Sequence, residues 1–327
     1  MVVVNWNRKE LLRACLGSLA RQRNVDFETI VVDNGSSDGS AGMAASEFGA
    51  RVIQNQENRG FCAANNQGIA VARGEFVALL NNDAEAEPNW LAELQRACAS
   101  RPEIGMAASK VLVWEDPSRI DKAGHLMFPD GQNRGRGTGA LDRGQFDREE
   151  EVLWPDGCAA MYRKPMLEQI GGFDEDFFAY GDDAELGLRA RIAGWLCLYT
   201  PRAVVRHHRG ATLGKDSAWR LQLIERNRVL LAVKLFPWSL LALNPFYYAA
   251  RLAAGALLAH GGQGDTAHFP GVGGKLAIVR ALAAGDFAAL RLIPRMLRKR
   301  AQIRRRLTPG EVRRLLLAHR LSLAEVA

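Results

Sequence analysis

"EFVALLNNDAEAEP", residues 75–88, joins an apolar run to a cluster of oxygen-bearing side chains. Phe76 to Leu80 reads as a buried strand, a short apolar run closed by turn residues. Asn81, Asn82 and Asp83 follow it at once, then Glu85 and Glu87. Alone, the stretch is either a polar turn or a strand end where a divalent cation meets a phosphate. Its neighbours repeat the plan. "MVVVNWN" (1–7) and "FETIVVDNGSSDGS" (27–40) are β-rich runs that also end in polar residues, and "ARVIQNQ" (50–56) is a further strand. Between them lie stretches with helical apolar spacing: 8–22, 41–49, 60–74 and 88–100. Repeated βα units predict an α/β fold, a largely parallel sheet with helices on both faces. Ligands of such sheets sit beyond the C-terminal ends of the strands, where "NWN", "DNGSSDG" and "NND" fall.

The chain has 327 residues, 48% of them hydrophobic, enough for one large domain with an appendage. Its five cysteines form no CxxC pair and lie in apolar stretches, which predicts reduced, buried thiols and no zinc site. No signal-peptide pattern opens the chain. It starts on a strand already under way, so the expectation is a cytoplasmic protein whose first strand is short or whose start lies upstream. The net charge of +7 is concentrated late: eleven Lys and Arg lie between Arg291 and Arg320 against one acid, Glu311.

Further along, 104–114 reads as a strand, 157–178 as strand then helix, 182–195 as a helix opening on acids, and 197–214 as a strand pair and loop. Residues 129–151 are rich in Gly, Arg and acids without apolar period, which predicts a mobile loop over the site. After residue 214 the character changes. Residues 216–236 read as a long helix stopped by Pro237. The block 235–260 is apolar and carries one charge after Lys234, Arg251; Asn244-Pro245 interrupts it. A membrane span, a buried helical pair and an interfacial hairpin are the open readings. The basic tail that follows, 291–320, with Leu292, Ile293, Met296, Leu297 and Ile303 interleaved, favours an anionic lipid surface. It lacks the aromatic interleaving of a nucleic-acid platform, so no nucleic-acid partner is expected.

Each polar cluster has a plain reading and a chemical one. Asp33 is either an Asx turn capping the next helix or a carboxylate accepting the N3–H of a pyrimidine base. Asp83 is a turn residue or the firm oxygen ligand of Mg²⁺ or Mn²⁺ with positions left for a diphosphate. Asp182, Asp183 and Glu185 cap a helix favourably, and their crowding also raises a pKa toward that of a general base. His207 and His208 at a strand end are structural or face phosphate or metal.

Taken together and in this order, "VVVNWN", "IVVDNGSSDGS", "NRGFCAANNQGI", "ARGEFVALLNNDAE", "GCAAMYRK", "GGFDEDFFAYGDDAELGLR" and "HHRGATLG" resemble the family 2 glycosyltransferases of the GT-A fold, and more closely their rhamnosyltransferase-like branch. The resemblance covers roughly residues 1–235. It implies a GT-A catalytic domain over 1–214 and a helical C-terminal region over 215–327. It also implies nucleotide binding by Asn5, Trp6, Asp33, Asn34, Asn58, Gly60, Asn65, Asn81 and Asn82, with Trp6 stacked on the base and Asp33 the base-binding acid. Asp83 and His207 are the implied metal residues, with Asp183 as catalytic base, Asp182 as its partner, and Gly157 and Trp154 on the acceptor side. Two departures stand out. Ala64-Asn65 replaces the Arg-Asn of many members, and Asn81 replaces the first carboxylate of the DxD-type position.

The expected activity is inverting transfer of a sugar, rhamnose among the candidates. The donor is a nucleotide-diphosphate sugar (dTDP or UDP), the cofactor Mg²⁺ or Mn²⁺, and the acceptor a saccharide or lipid-linked saccharide in cell-surface polysaccharide synthesis. The expected place is peripheral, at the inner face of the cytoplasmic membrane. The competing expectation is a catalytically inactive nucleotide-binding protein of the same fold.

Overall fold

The computed structural model describes residues 1–209, 217–260 and 271–326. Strands form where the apolar runs lie: β1 (Val2–Asn5), β2 (Ile30–Asp33), β3 (Arg51–Gln54), β4 (Phe76–Leu80), β5 (Ala84–Ala86), β6 (Ile104–Val113), β7 (Ile120–Lys122), β8 (His125–Met127), β9 (Asn133–Gly135), β10 (Glu150–Val152), β11 (Ala159–Arg163) and β12 (Leu196–His207). Helices α1 (Lys9–Ala20), α2 (Ser40–Phe48), α3 (Gly60–Val71), α4 (Trp90–Ala99), α5 (Lys164–Ile170) and α6 (Asp182–Ile192) lie between them. Beyond residue 217 come α7 (Ala218–Leu235), α8 (Trp238–His260), α9 (Gly271–Ala301), α10 (Pro309–Ala318) and α11 (Leu323–Val326). The chain divides into two compact units, Met1–His125 with Gly135–Thr212, and Leu126–Arg134 with Leu213–Ala327.

In the first unit the sheet runs β10-β12-β6-β11-β4-β1-β2-β3, with β5 on β12 and β7 on β6. The first four strands pair in parallel as expected. The whole sheet is mixed, because β11 enters between β4 and β6 antiparallel to both. Strand β2 is buried throughout and β4 nearly so, as strands covered on both faces must be. Their apolar side chains meet Leu12, Leu16, Leu19, Trp90 and Leu94 from α1 and α4 in one core. Transfer of such side chains from water supplies roughly 25 cal/mol per Å² of apolar surface, the main force holding helix to sheet.

Three expectations change. Residues 197–207 form one strand, not a strand pair: β12 runs unbroken, and its register on β6 slips between Thr200 and Val204. Pro201 sits at that slip, where its missing N–H removes no ladder bond. Residues 129–151 are built into structure, with Asn133–Gly135 and Glu150–Val152 as strands. Polar contacts order this stretch: Lys110, nearly buried, pairs with Asp142 at 2.5 Å and Asp147 at 2.7 Å. No apolar period could have revealed that. Helix α8 continues through Pro245 instead of breaking there. Contacts on both sides of the proline hold it: Asn244 donates to the Asp130 carbonyl at 2.8 Å, and Arg251 pairs with Asp130 at 2.5 Å.

The second unit is helical. Inside it a buried ionic network joins Glu225, Arg228, Arg251 and Asp130. Breaking one member of such a network strands a buried charge, at a cost of about 3–5 kcal/mol. No described helix is long and apolar enough to cross a membrane. The part of "HHRGATLG" from Gly210 onward lies outside the described residues.

Candidate active site

Parallel pairing sets the first half of the site. Asn5 at the end of β1 lies in register with Asp33 at the end of β2. The Asn82 amide donates to Asn5 Oδ1 at 2.7 Å, and Asn5 Nδ2 reaches Asp33 Oδ2 at 3.4 Å. Asp33 Oδ1 accepts the Ser36 N–H at 2.8 Å, so the Asx turn and the buried carboxylate are one feature. Asn34 Nδ2 reaches Asn58 Oδ1 and the Gly60 carbonyl at 3.3 and 3.2 Å, and Asn58 Oδ1 also accepts the Gly60 N–H at 2.9 Å. Asn55 donates to Asn34 Oδ1 at 2.8 Å and exchanges amide bonds with Gln67. Sequence reasoning missed Asn55. Gly60 has φ +83°, and a Cβ there would lie 2.5 Å from the Phe178 ring, so only glycine fits. Asn65 is buried and turns back to the Phe61 carbonyl, 2.9 Å away. Asn81 has its N–H on the Cys158 carbonyl at 2.8 Å, which ties "NND" to β11. Trp6 is half-buried just past β1.

The second part lies where β12 ends beside β5. Pairing sets His207 opposite Ala84, next to Asp83. His207 Nε2 is 3.3 Å from Asp83 Oδ1, and Nδ1 is 2.9 Å from Asp121 Oδ2. Burial alone would lower the His207 pKa, but its bonds to Asp121 and Asp83 raise it to about 9. Asp83 is held below the usual carboxylate range: burial opposes its charge, and the hydrogen bond from His207 wins. Arg209 also reaches Asp121, at 2.9 Å. His208 points elsewhere, stacked on Trp114 with ring centroids 4.2 Å apart.

The third part stands at the start of α6. Asp183 Oδ1 accepts the Ala184 N–H at 2.8 Å and Oδ2 accepts the Gly157 N–H at 3.2 Å. His125 Nε2 is 3.6 Å from Asp183 Oδ2 and 2.8 Å from Asp156 Oδ2, and Lys122 Nζ is 2.5 Å from the same Asp156 oxygen. Burial raises the pKa of Asp183, and the positive partners only partly offset it. Asp182 is pushed well above the ordinary range by burial and by Asp183 beside it. Asp156 goes the other way: burial would raise it, but Lys122 and His125 hold it well below. Glu185, counted among the crowded acids, pairs instead with buried Arg189 at 2.8 Å, and Arg189 also ties down the carbonyls of Ile170, Gly171 and Gly172. Trp154 is fully buried, stacked near His125 at 5.9 Å, and packs where a Cβ on Gly187 would clash. It reaches the site through His125 and α6 rather than by its own surface. Gly157 touches both Phe61 and Asp183.

Strand β7 links the two ionic groups. Asp121 pairs with His207, while the next residue, Lys122, pairs with Asp156. Sequence reasoning missed Asp121, Lys122, His125 and Asp156. The available signal was "IDKAGH" (120–125) and "WPDGC" (154–158), charged residues embedded in apolar runs.

Asp83 and His207 suit a divalent cation. They offer a carboxylate oxygen and an imidazole nitrogen, and a carboxylate behind the other ring nitrogen is the usual support of a metal-bound histidine. His125, Asp156 and Asp183 also bring ligand atoms within 4.8 Å of one another. There the Lys122 ammonium already neutralises Asp156, so that cluster suits a proton better than a metal.

A family model described as Glycosyl transferase family 2 matches residues 1–171, more than half of the chain. An N-acetylglucosaminyl-diphospho-decaprenol L-rhamnosyltransferase of Mycobacterium tuberculosis is 28% identical over 243 residues, 68% of this chain and 79% of that protein. A protein of Sinorhizobium fredii, described as uncharacterised, is 29% identical over 236 residues; the match spans 66% of this chain but 25% of that protein. Among solved structures, GalNAc-T7 with UDP, GalNAc and Mn²⁺ aligns with a TM-score of 0.61 at 15% identity, covering 76% of this chain and 49% of that one. The mannosyltransferase PcManGT of Pyrobaculum calidifontis, with GDP-Man and Mn²⁺, aligns at 0.55 and 20% identity, covering 88% and 86%. These neighbours establish the GT-A type of fold with a helical C-terminal part.

Proposed function

The chain belongs to glycosyl transferase family 2 and is a glycosyltransferase, and on that premise we propose that it transfers a sugar with inversion from a pyrimidine nucleotide-diphosphate donor. The observation that carries this reading is the pair of ionic groups built on either side of β7, one around Asp83 and His207, the other around Asp183. Asp33, in register with Asn5, is the acceptor for the base N3–H, a group that UDP and dTDP share. Asn5 and Asn82 orient that carboxylate, and Asn34, Asn55 and Asn58 shape the turn beside it. Asp83 and His207 would hold a divalent cation, which when bound neutralises charge developing on the departing diphosphate. Asp121 fixes the His207 ring.

Asp183 takes the proton of an acceptor hydroxyl. The hydroxyl oxygen forms the new bond to the anomeric carbon as the bond to the diphosphate oxygen breaks, its electron pair leaving with the diphosphate. A largely covered carboxylate with a raised pKa suits this work, because its charged form is poorly solvated and gains by accepting a proton. His125, held by Asp156, which Lys122 pairs on the same oxygen, stands 3.6 Å from Asp183 and steadies its charge before the proton arrives. The name of the Mycobacterium tuberculosis relative points to rhamnose as the sugar and a lipid-linked saccharide as the acceptor class. An acceptor of that class fits work at the inner face of the cytoplasmic membrane, in cell-surface polysaccharide synthesis.

The metal assignment has a pH signature. With a pKa of about 9, His207 carries a proton at neutral pH, and a cation at Nε2 must displace it. Below about pH 9 each Mn²⁺ bound therefore releases one proton from His207, and apparent affinity rises about tenfold per pH unit, flattening above that value. Calorimetry of Mn²⁺ binding in the presence of UDP, in buffers of different ionisation enthalpy, reads the proton count. A count near zero removes His207 as a ligand.

A further inference from the structure

Helix α8 is inside out for a helix in water. Its inward positions carry its polar groups: Asn244 on the Asp130 carbonyl at 2.8 Å, Tyr248 on Asp286 at 2.8 Å, and Arg251 on Asp130 at 2.5 Å and Glu225 at 3.0 Å. From Ala242 to Leu257 its exposed positions are Ala242, Leu243, Pro245, Phe246, Ala249, Ala250, Leu252, Ala253, Ala256 and Leu257, and none of these is polar. Phe246 and Leu257 are 73% and 75% exposed. A water-facing helix shows the reverse pattern. Helix α9 packs on α7 and touches α8 through side-chain contacts. Tyr248 meets Asp286, and Arg300 at the end of α9 stacks over Trp238 at the start of α8 at 4.2 Å, so the two helices run antiparallel. On α9, Leu276, Val279, Phe287 and Leu290 are exposed, with Arg280 the charged residue among them. From Arg291 onward arginines join the exposed positions, Arg291, Arg295 and Arg298, beside Pro294 and Leu297. The antiparallel pairing sets the apolar stretches of both helices at one end and the arginines with Trp238 at the other.

We propose that α8 and α9, each packed on its inner side within the second unit, bury their outward apolar positions in one leaflet of an anionic bilayer, with the arginines of α9 at the headgroups. This rests on the reading of the chain as a membrane-surface transferase and names the surface that does it. The choice of lipid over a second copy of the chain rests on charge. Apolar faces alone would suit a dimer, but a band of arginines beside them meets its complement in phosphate headgroups. The stretch from Ala242 to Leu257 rises ~22 Å, against a leaflet about half of a ~30 Å hydrocarbon core. Helix α8 therefore reaches into one leaflet at a tilt. Trp238, 62% exposed and stacked on Arg300, takes the interfacial position that tryptophan favours.

The test uses the full chain and vesicles of phosphatidylcholine with and without phosphatidylglycerol. The protein is expected to sediment with the anionic vesicles. A double variant, Phe246→Glu with Leu257→Glu, is expected to shift at least about tenfold toward the supernatant. Arg291→Gln with Arg298→Gln is expected to lose the preference for anionic over neutral vesicles. All substitutions lie on exposed positions outside the catalytic machinery, and unchanged UDP or dTDP binding confirms that each variant is folded. Wild-type protein that stays in the supernatant with both vesicles overturns the proposal, and so does a glutamate variant that sediments equally. Sedimentation velocity without lipid tests the rival occupant: an oligomer that the glutamate variant dissolves overturns the proposal and assigns the face to a second copy. Transfer to a soluble saccharide acceptor in the absence of vesicles is measured in parallel, so loss of the catalytic reading is told apart from loss of the membrane contact.

Discussion

Asp183→Asn is expected to lower kcat by about 10²–10⁴-fold while leaving nucleotide binding essentially unchanged, the range lost with a general base. The amide keeps the size of the carboxylate and can still accept the Gly157 N–H, so the start of α6 keeps its shape. What it loses is the ability to take a proton. The pH dependence separates this from a structural effect. Burial raises the pKa of Asp183, so in the wild-type enzyme kcat/KM climbs with pH through a limb above the ordinary carboxylate range, as the base becomes ionised. That limb disappears in the asparagine variant. Wild-type turnover by Asp183→Asn would assign the proton transfer to another group.

Asp83→Ala removes the proposed oxygen ligand and leaves His207 bonded to Asp121 alone. The expected result is loss of metal-dependent nucleotide affinity beyond the ~10–100-fold that removal of an outer partner costs. Asp121→Ala removes such a partner and falls within that range. The ordering of the two variants is the informative part, because a general disturbance of the strand ends would affect both alike. Equal, small losses in Mn²⁺-dependent UDP binding would take the metal away from Asp83.

The apolar runs and their polar ends made the βα half of the fold legible, because buried strands and the residues after them carry their signal locally. Pairing partners do not. Nothing in "GCAAMYR" announces that β11 inserts antiparallel between β4 and β6. The choice between His207 and His208 shows the same limit. Strand alternation sends the two rings to opposite faces, but only the pairing of β12 with β5 shows which face holds Asp83. Asp121, Lys122, His125 and Asp156 escaped because each is a single charge in an apolar setting, and its partner is supplied by tertiary contact. Residues 129–151 looked structureless because ionic and backbone contacts order them. In α8 the apolar count was evident, whereas the side its polar groups face was not.

The most direct measurement is calorimetric titration of the full chain with UDP, dTDP and GDP, each with and without Mn²⁺. A site built on Asp33 for the base and on Asp83 with His207 for the metal predicts binding of UDP or dTDP that strengthens when Mn²⁺ is present, and little binding of GDP. Binding of all three alike, or binding of UDP and dTDP indifferent to the metal, would contradict it.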